Sequence, residues 1–506
     1  MAVYSWLTLT DALNALAARL NAGRFWSAQE LQLYLTEALR LRNGLCEEWR
    51  SELVFNASGC QWLNVDQLPG SPRVRTVTDA YLYTQMQCML LEPATGAAPW
   101  TGTAQFNLAK MQYALSNRRN EMIQSVACNM VNLAPILAGL GTRRTFLPDT
   151  ILETRRVRFL ALVLTANGTC GMGTTVITVT STVGLTAGQI VTGPGVAYGA
   201  TLIGVQTGTI TISIPTTASL SGASLNFYQP ITLTREDTQA FQNFNPNYLQ
   251  EQGIPQSWSV VSEPPLAFDV DRAIYLPGQM DVIALESGPA FSPPAATLLG
   301  VPDDWSWIPM YGALADLLGE ESESTDRARA AYCMKRYTDG LKMFKQSNWM
   351  LQATVNFIAS ETPALANKDW YLPEWEENQG QIPCVVQDGI DFIAVAPGAP
   401  SSASVTLVQN APILDPTGVF VQVSRDEWDS VLDYAHHAAS FKMGGQEFAD
   451  TVPMLDEFFQ NAARDNSRVI TYGLYSDVLF GAGRMQDVAE PRYDDRAAAQ
   501  MRDNSR

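Results

Sequence analysis

Apolar side chains recur at helical spacing from the start of the chain. Leu13, Leu16, Ala17 and Leu20 fall on one face and predict a helix over 10–21. Phe25 and Trp26 then precede Ser27-Ala28-Gln29-Glu30. This is a capping box, in which the Ser27 hydroxyl takes the Glu30 N–H and the Glu30 carboxylate reaches back. Leu31, Leu35, Ala38 and Leu39 continue an apolar face over 28–43, with Glu37, Arg40 and Arg42 expected outside it. A hairpin is predicted next, with strands at 50–56 and 59–64 and a turn from Asn56 to Gly59. Helices are predicted over 78–91 and 104–131, on either side of a loop rich in Gly, Pro and Ala.

The pattern changes at Phe159. From there to Thr234 the chain holds no Asp, Glu, Lys or Arg, and Thr, Val, Ile and Gly dominate. Alternating runs such as Thr175–Thr180 and Thr209–Ile214 are punctuated by Gly193-Pro194-Gly195, Gly199 and Gly208. That pattern predicts a small all-β sandwich of short strands. Charged sequence resumes on both sides, so the module reads as an insert. Arg155 to Leu162 and Ile231 to Phe241 are then expected as neighbouring strands of one sheet.

Residues 241–300 are rich in proline and predict loops and extended segments. Asp303 and Asp304 mark the start of a helix running through Leu318. A second helix, 325–344, places Ala330, Cys333, Tyr337 and Leu341 on one face. Short strands return over 350–423, for example Gly389–Val395 and Val405–Val408, and helices are predicted over 426–441 and 453–465. The charged stretch 485–506 is poor in apolar residues and is expected to order only against a neighbour. The fold class expected is α+β: N-terminal and central helical bundle regions with β modules, including the inserted sandwich. The divisions read from the chain are 1–164, 165–228, 229–349, 350–423, 424–484 and a tail at 485–506.

With 506 residues and 46% hydrophobic content, the chain can build more than one core. It lacks the run of about 18 apolar residues that a membrane span needs, so no membrane partner is expected. The first nine residues lack a basic region followed by a long apolar run, so no secretory signal is read. The seven cysteines form no C-x-x-C pair and are expected as buried thiols of a chain made in a reducing cytoplasm. Net charge is -18, and Lys and Arg are too few and too dispersed to wrap nucleic acid tightly. The acidic balance favours solubility, and it would equally suit a pore that DNA slides through without being gripped.

The search for chemistry ends without a reaction centre. His436 and His437 are adjacent on a predicted helix and point about 100° apart, so a shared metal is disfavoured and a surface or packing role is expected. Gly171-Met172-Gly173 and Gly193-Pro194-Gly195 resemble phosphate loops but precede no helix with a Lys-Ser or Lys-Thr, and they read as turns. Asp269-Val270-Asp271 is half a calcium loop at most. Glu374, Glu376 and Glu377 lie beside Trp370, Tyr371 and Trp375, a composition found in sugar-binding clefts and also at protein interfaces. No catalytic, cofactor-binding or metal residue is assigned, no cofactor is expected, and a non-enzymatic role is expected.

Three stretches carry a resemblance. The first is Trp6–Leu39, especially Phe25-Trp26-Ser27, Glu30-Leu31 and Tyr34-Leu35-Thr36-Glu37-Ala38-Leu39. The second runs from Pro302-Asp303-Asp304-Trp305 through Tyr311–Gly319 to Arg327–Tyr337. The third is Phe441-Lys442-Met443-Gly444-Gly445-Gln446-Glu447-Phe448 with Asn466-Ser467-Arg468 downstream. Together they resemble head-to-tail connector (adaptor, collar or neck) proteins of tailed bacteriophages over about a third of the chain. The charge-free insert departs from the simpler adaptor pattern and resembles β modules appended to phage virion proteins. The resemblance implies a ring, commonly of twelve subunits, in the virion at the head-tail junction. It also implies partners: a portal protein, tail or nozzle proteins, tail fibres, and genomic DNA passing without sequence recognition. A tail nozzle or tubular protein, or a glycan-binding tail component, is the alternative.

Overall fold

The computed structural model describes residues 7–21, 25–46, 50–57, 61–64, 75–91, 106–133, 136–244, 247–261, 265–292, 295–320, 326–347, 352–356, 364–365, 384–388, 392–396, 403–410, 421, 423 and 427–465. Among them are helices α1 (Leu9–Arg19), α2 (Ala28–Cys46), α3 (Asp79–Met89), α4 (Leu108–Val126), α5 (Thr238–Phe244), α6 (Trp307–Gly319), α7 (Arg327–Ser347), α8 (Trp428–Ser440), α9 (Gly445–Ala449) and α10 (Val452–Asp465). The strands form mainly antiparallel sheets, so the chain is α+β.

All the helices except α5 share one core. The capping box forms at the start of α2, where the Glu30 N–H donates to Ser27 Oγ at 3.2 Å and the Ser27 N–H to Glu30 at 3.4 Å. The predicted face of α7 points inward, with Cys333 and Tyr337 buried and Ala330 and Leu341 packed against the same core. Two glycines let α6 and α7 approach closely. A Cβ on Gly312 would stand 2.8 Å from the Tyr337 ring, and one on Gly340 would stand 2.8 Å from Trp307 and Ile308.

Two expectations for these helices are corrected. Glu37, Arg40 and Arg42 do not lie outside the apolar face: Glu37 is 3% and Arg42 1% exposed, and Arg40 is largely covered. α2 packs against α1, α3, α8, α10 and the turn at 303–305, so only the narrow face of Gln29, Gln32 and Thr36 is left towards water. Asp303 does not begin the α6 helix. It sits in a short 3-10 turn, and its carboxylate accepts from the N–H groups of Thr76 and Val77 at 2.7 and 2.9 Å.

The β half is built on one 20-residue strand, Ile151–Cys170. Its first part pairs antiparallel with Gly278–Glu286, and its second part with Leu220–Thr232. Arg158 to Leu162 therefore lie beside Tyr228 to Thr232, as the pattern predicted. Beyond Thr232 the expected strand gives way to the short Thr234–Arg235, which pairs with Ser257–Trp258, and then to α5. The lower part of this sheet packs on a second sheet of Thr234–Arg235, Ser257–Val261, Ala267–Val270 and Arg144–Phe146. Val157, Phe159, Met280 and Val282 meet Trp258, Phe268 and Val270 between the layers.

The upper part of the long strand carries the charge-free module. Strands Val176–Val179, Ile190–Thr192, Leu202–Gln206 and Thr209–Ile212 curl with it around their own core of Ile177, Val191, Leu202, Ile210, Leu225 and Phe227.

The predicted hairpin is not formed. Arg50–Ala57 pairs with Ala403–Asn410, and Gln61–Asn64 pairs with Phe392–Val395. Backbone hydrogen bonding specifies strand geometry but not the partner. Here segments more than 300 residues downstream supply the ladder. The Gly389–Val395 and Val405–Val408 strands are found as Phe392–Ala396 and Ala403–Asn410.

Candidate functional site

The densest cluster of ionisable groups lies inside the helical core. α2 contributes Glu37, α3 Gln85, α6 Tyr311, α7 Tyr332 and Arg336, and α8 Tyr434 and His437. The Glu37 carboxylate accepts from the Tyr434 hydroxyl at 2.7 Å, from the Tyr311 hydroxyl at 3.1 Å and from the Gln85 amide. Arg336 donates to the Tyr434 hydroxyl and lies within 6 Å of the rings of Trp307, Tyr311, Tyr434 and Phe459. A guanidinium desolvated among aromatic faces gains cation–π attraction in place of water. Burial pushes the Glu37 carboxyl up, opposed by the Tyr434 hydrogen bond and the Arg336 charge. Burial also pushes the phenols of Tyr311 and Tyr434 well up. The hydrogen bonds among these groups run between α2, α3, α6, α7 and α8, so the cluster holds those helices together, while Arg336 Nε is buried without a hydrogen-bond partner among the described residues.

A buried ion pair joins the same bundle. Lys442 meets Glu30 at 2.8 Å, with both side chains nearly fully buried, and donates to the Phe25 carbonyl at 2.6 Å. The Trp26 indole donates to the Ala439 carbonyl at 3.1 Å. Tyr34 donates to Glu30 at 3.2 Å. The N-terminal helical pair is thus fastened to the turn after α8 by charge as well as by packing.

His437 is 1% exposed and its ring stacks on Phe448 at 4.8 Å. Nδ1 lies 2.8 Å from Thr451 Oγ1, and Nε2 lies 2.7 Å from the Tyr332 hydroxyl. Thr451 spends its proton on the Phe448 carbonyl at 2.7 Å. It must therefore accept from His437, which places the imidazole proton on Nδ1 and leaves Nε2 to accept from Tyr332. Burial lowers the His437 pKa to about 3, and the nearby Arg336 charge acts in the same direction. His436 is half-buried, and burial lowers its pKa too. Among the described residues the two histidines belong to no group that could hold a metal ion.

In the β half, Arg158 and Asp281 form an ion pair buried between adjacent strands, at 2.6 Å. Tyr198, from the charge-free module, donates to the other Asp281 oxygen at 2.7 Å. Arg158 also lies 3.7 Å over the Trp62 ring. One carboxylate therefore ties the insert to the sheet that carries it.

The remaining sequence candidates separate. Gly171-Met172-Gly173 is a turn in the insert, closed by the Gly173 N–H to the Thr216 carbonyl at 2.8 Å. Gly193 packs against Leu225, where a Cβ would stand 2.6 Å from a methyl group. Asp269 forms a two-point pair with Arg144, both contacts at 2.8 Å, and Asp271 accepts from the N–H groups of Gln256 and Ser257. Their oxygens are turned to protein donors, and among the described residues no group of three His, Cys, Asp or Glu is placed to hold a metal ion. Glu374, Glu376, Glu377, Trp370, Tyr371 and Trp375 lie outside the described residues, as does 485–506. Cys88, Cys170 and Cys333 are free thiols. Among the described residues no helix is long and apolar enough to cross a membrane.

Glu37, Arg336 and Tyr434 were missed by sequence reasoning. The only signal available was a carboxylate one turn after Tyr34 inside an apolar helix. No protein-family model matches the chain, and no curated protein matches it.

Proposed function

We propose that this chain is a structural, non-enzymatic virion protein that forms a ring in the neck of a tailed bacteriophage. In this reading it joins the portal to the tail and lets DNA pass. One observation carries it: the three stretches that resemble connector proteins, far apart in sequence, pack into a single helical unit. Glu30 of the first pairs with Lys442 of the third, and Trp26 of the first donates to Ala439 just before the third. Glu37 of the first accepts from Tyr311 of the second. A common unit suits a shared assembly role.

Electrostatics fit the same role. The net charge of -18 repels phosphate, as a channel that conducts DNA without holding it requires. The ionisable groups at the bundle centre tie several helices together, which suits a rigid subunit. Ring closure needs heterologous interfaces related by rotation. Electron microscopy of the purified protein and of phage particles tests the reading. A closed ring with a central pore, located between head and tail, is expected. Infectious particles that lack the polypeptide would overturn it.

A further inference from the structure

We propose that the charge-free module is a contact surface between copies of this chain, its outer sheet face lying against the uncharged module of a neighbouring copy. Alternation divides its strands cleanly. In Val176–Val179, Ile177 and Val179 point into the module core while Val176 and Thr178 face outward. Thr209–Ile212 repeats the division, with Ile210 and Ile212 inside. Register places Thr169, Thr178 and Thr209 in one row across three adjacent strands, with Val176 beside Thr211 in the row below. The result is a face of β-branched side chains without charge, on which Val176 is 53% exposed and Met172, at its end, 71% exposed.

Charge decides the occupant. All 33 basic and 51 acidic residues lie outside 159–234. A charged partner laid on this face would lose hydration and gain no counter-charge. Nucleic acid and anionic surfaces find no cation here. Sugar recognition by stacking finds little ring surface, because Phe159, Phe227 and Tyr228 are buried and Tyr198 is partly covered, its hydroxyl held by Asp281. An uncharged surface matches another uncharged surface, and a second copy supplies one. Copies that carry -18 each repel one another elsewhere, so the module is where they can meet at least electrostatic cost. A module without charge and with exposed Val and Met side chains is also prone to associate when left bare. The Tyr198–Asp281 bond holds the module at a fixed orientation, which a repeating contact needs.

The proposal names a contact within the ring proposed above and rests on that reading only for ring closure. Sedimentation velocity of the full-length chain over a concentration range tests it. The native protein is expected to self-associate. Thr178→Asp and Thr178→Lys should each weaken association by roughly tenfold or more, because either sign strands a charge against a neutral face. Thr178→Val keeps the face neutral and should associate as well as the native chain. One sign weakening while the other strengthens would mean a charged occupant and overturn the proposal, as would a native chain that stays monomeric. Circular dichroism checks folding. Should a Thr178 variant fail to fold, Thr209→Lys and Thr209→Glu make the same comparison on the next strand. Rings formed equally well by Thr178→Asp would sink this contact and leave the ring intact. Association lost in Thr178→Asp, in a protein absent from particles, would sink the neck reading alone.

Discussion

Acidification should destabilise this protein through His437, by an amount the structure sets. The ring is enclosed by Phe448, Tyr332 and Thr451, donates from Nδ1 and accepts at Nε2. Protonation at Nε2 would place a cation in a desolvated cage near Arg336, which is why the folded pKa falls to about 3. The unfolded chain titrates its histidines near 6.5. Between those values the unfolded state binds a proton that the folded state refuses, so stability falls as pH falls. The slope is about 1.4 kcal/mol per pH unit, or roughly 2.5 kcal/mol between pH 6.5 and 4.5. For a protein of this size that corresponds to about 2–3 °C in Tm. His437→Gln removes the titration while retaining a donor and an acceptor. Its own cost in packing is independent of pH, and the carboxylates that titrate in the same range are common to both proteins. Denaturant or thermal unfolding at pH 7.5 and 4.5 should therefore show the native protein's advantage shrinking by about 2–3 kcal/mol on acidification. Curves for the two proteins that fall in parallel would refute both the buried neutral imidazole and the tautomer derived for it.

Four further outcomes follow from the packing. Glu37→Ala leaves Arg336 without its nearby carboxylate and two phenols without their acceptor, and should cost about 3–5 kcal/mol in chemical denaturation. Glu37→Gln should cost less, and increasingly less as pH rises. Burial raises the folded pKa, so the native carboxyl loses stability above its unfolded value of about 4.3 while the amide does not. Gly288→Ala places a methyl 2.6 Å from the buried Arg119 guanidinium and 2.9 Å from the Leu299 carbonyl, and should lower stability by about 1–3 kcal/mol. Tyr198→Phe deletes the hydrogen bond to Asp281 and should cost about 1.5–3 kcal/mol, with amide exchange rising first around 185–205.

What could be read from the chain was whatever is settled within a few residues. The Ser27–Glu30 capping box closes over three residues, so its residue types alone dictated it. The inward set Ile177, Val179, Ile210 and Ile212 followed from alternation, because successive side chains of a strand point to opposite faces whatever lies beside them. The absence of charge over 159–234 marked the insert for the same reason: composition is a local property. Tertiary structure alone decided everything that depends on a distant partner. Arg50–Ala57 and Gln61–Asn64 read as a hairpin because both are strands, yet backbone groups pair with any strand that comes alongside, and Ala403–Asn410 and Phe392–Val395 did. Glu37 and Arg42 read as solvent-facing because helical spacing places them off the apolar stripe. They are buried because other helices close over them and bring Tyr311, Tyr434 and Glu427 within hydrogen-bond reach. A charge's burial depends on whether a counterpart arrives to replace water, and that counterpart lies hundreds of residues away along the chain.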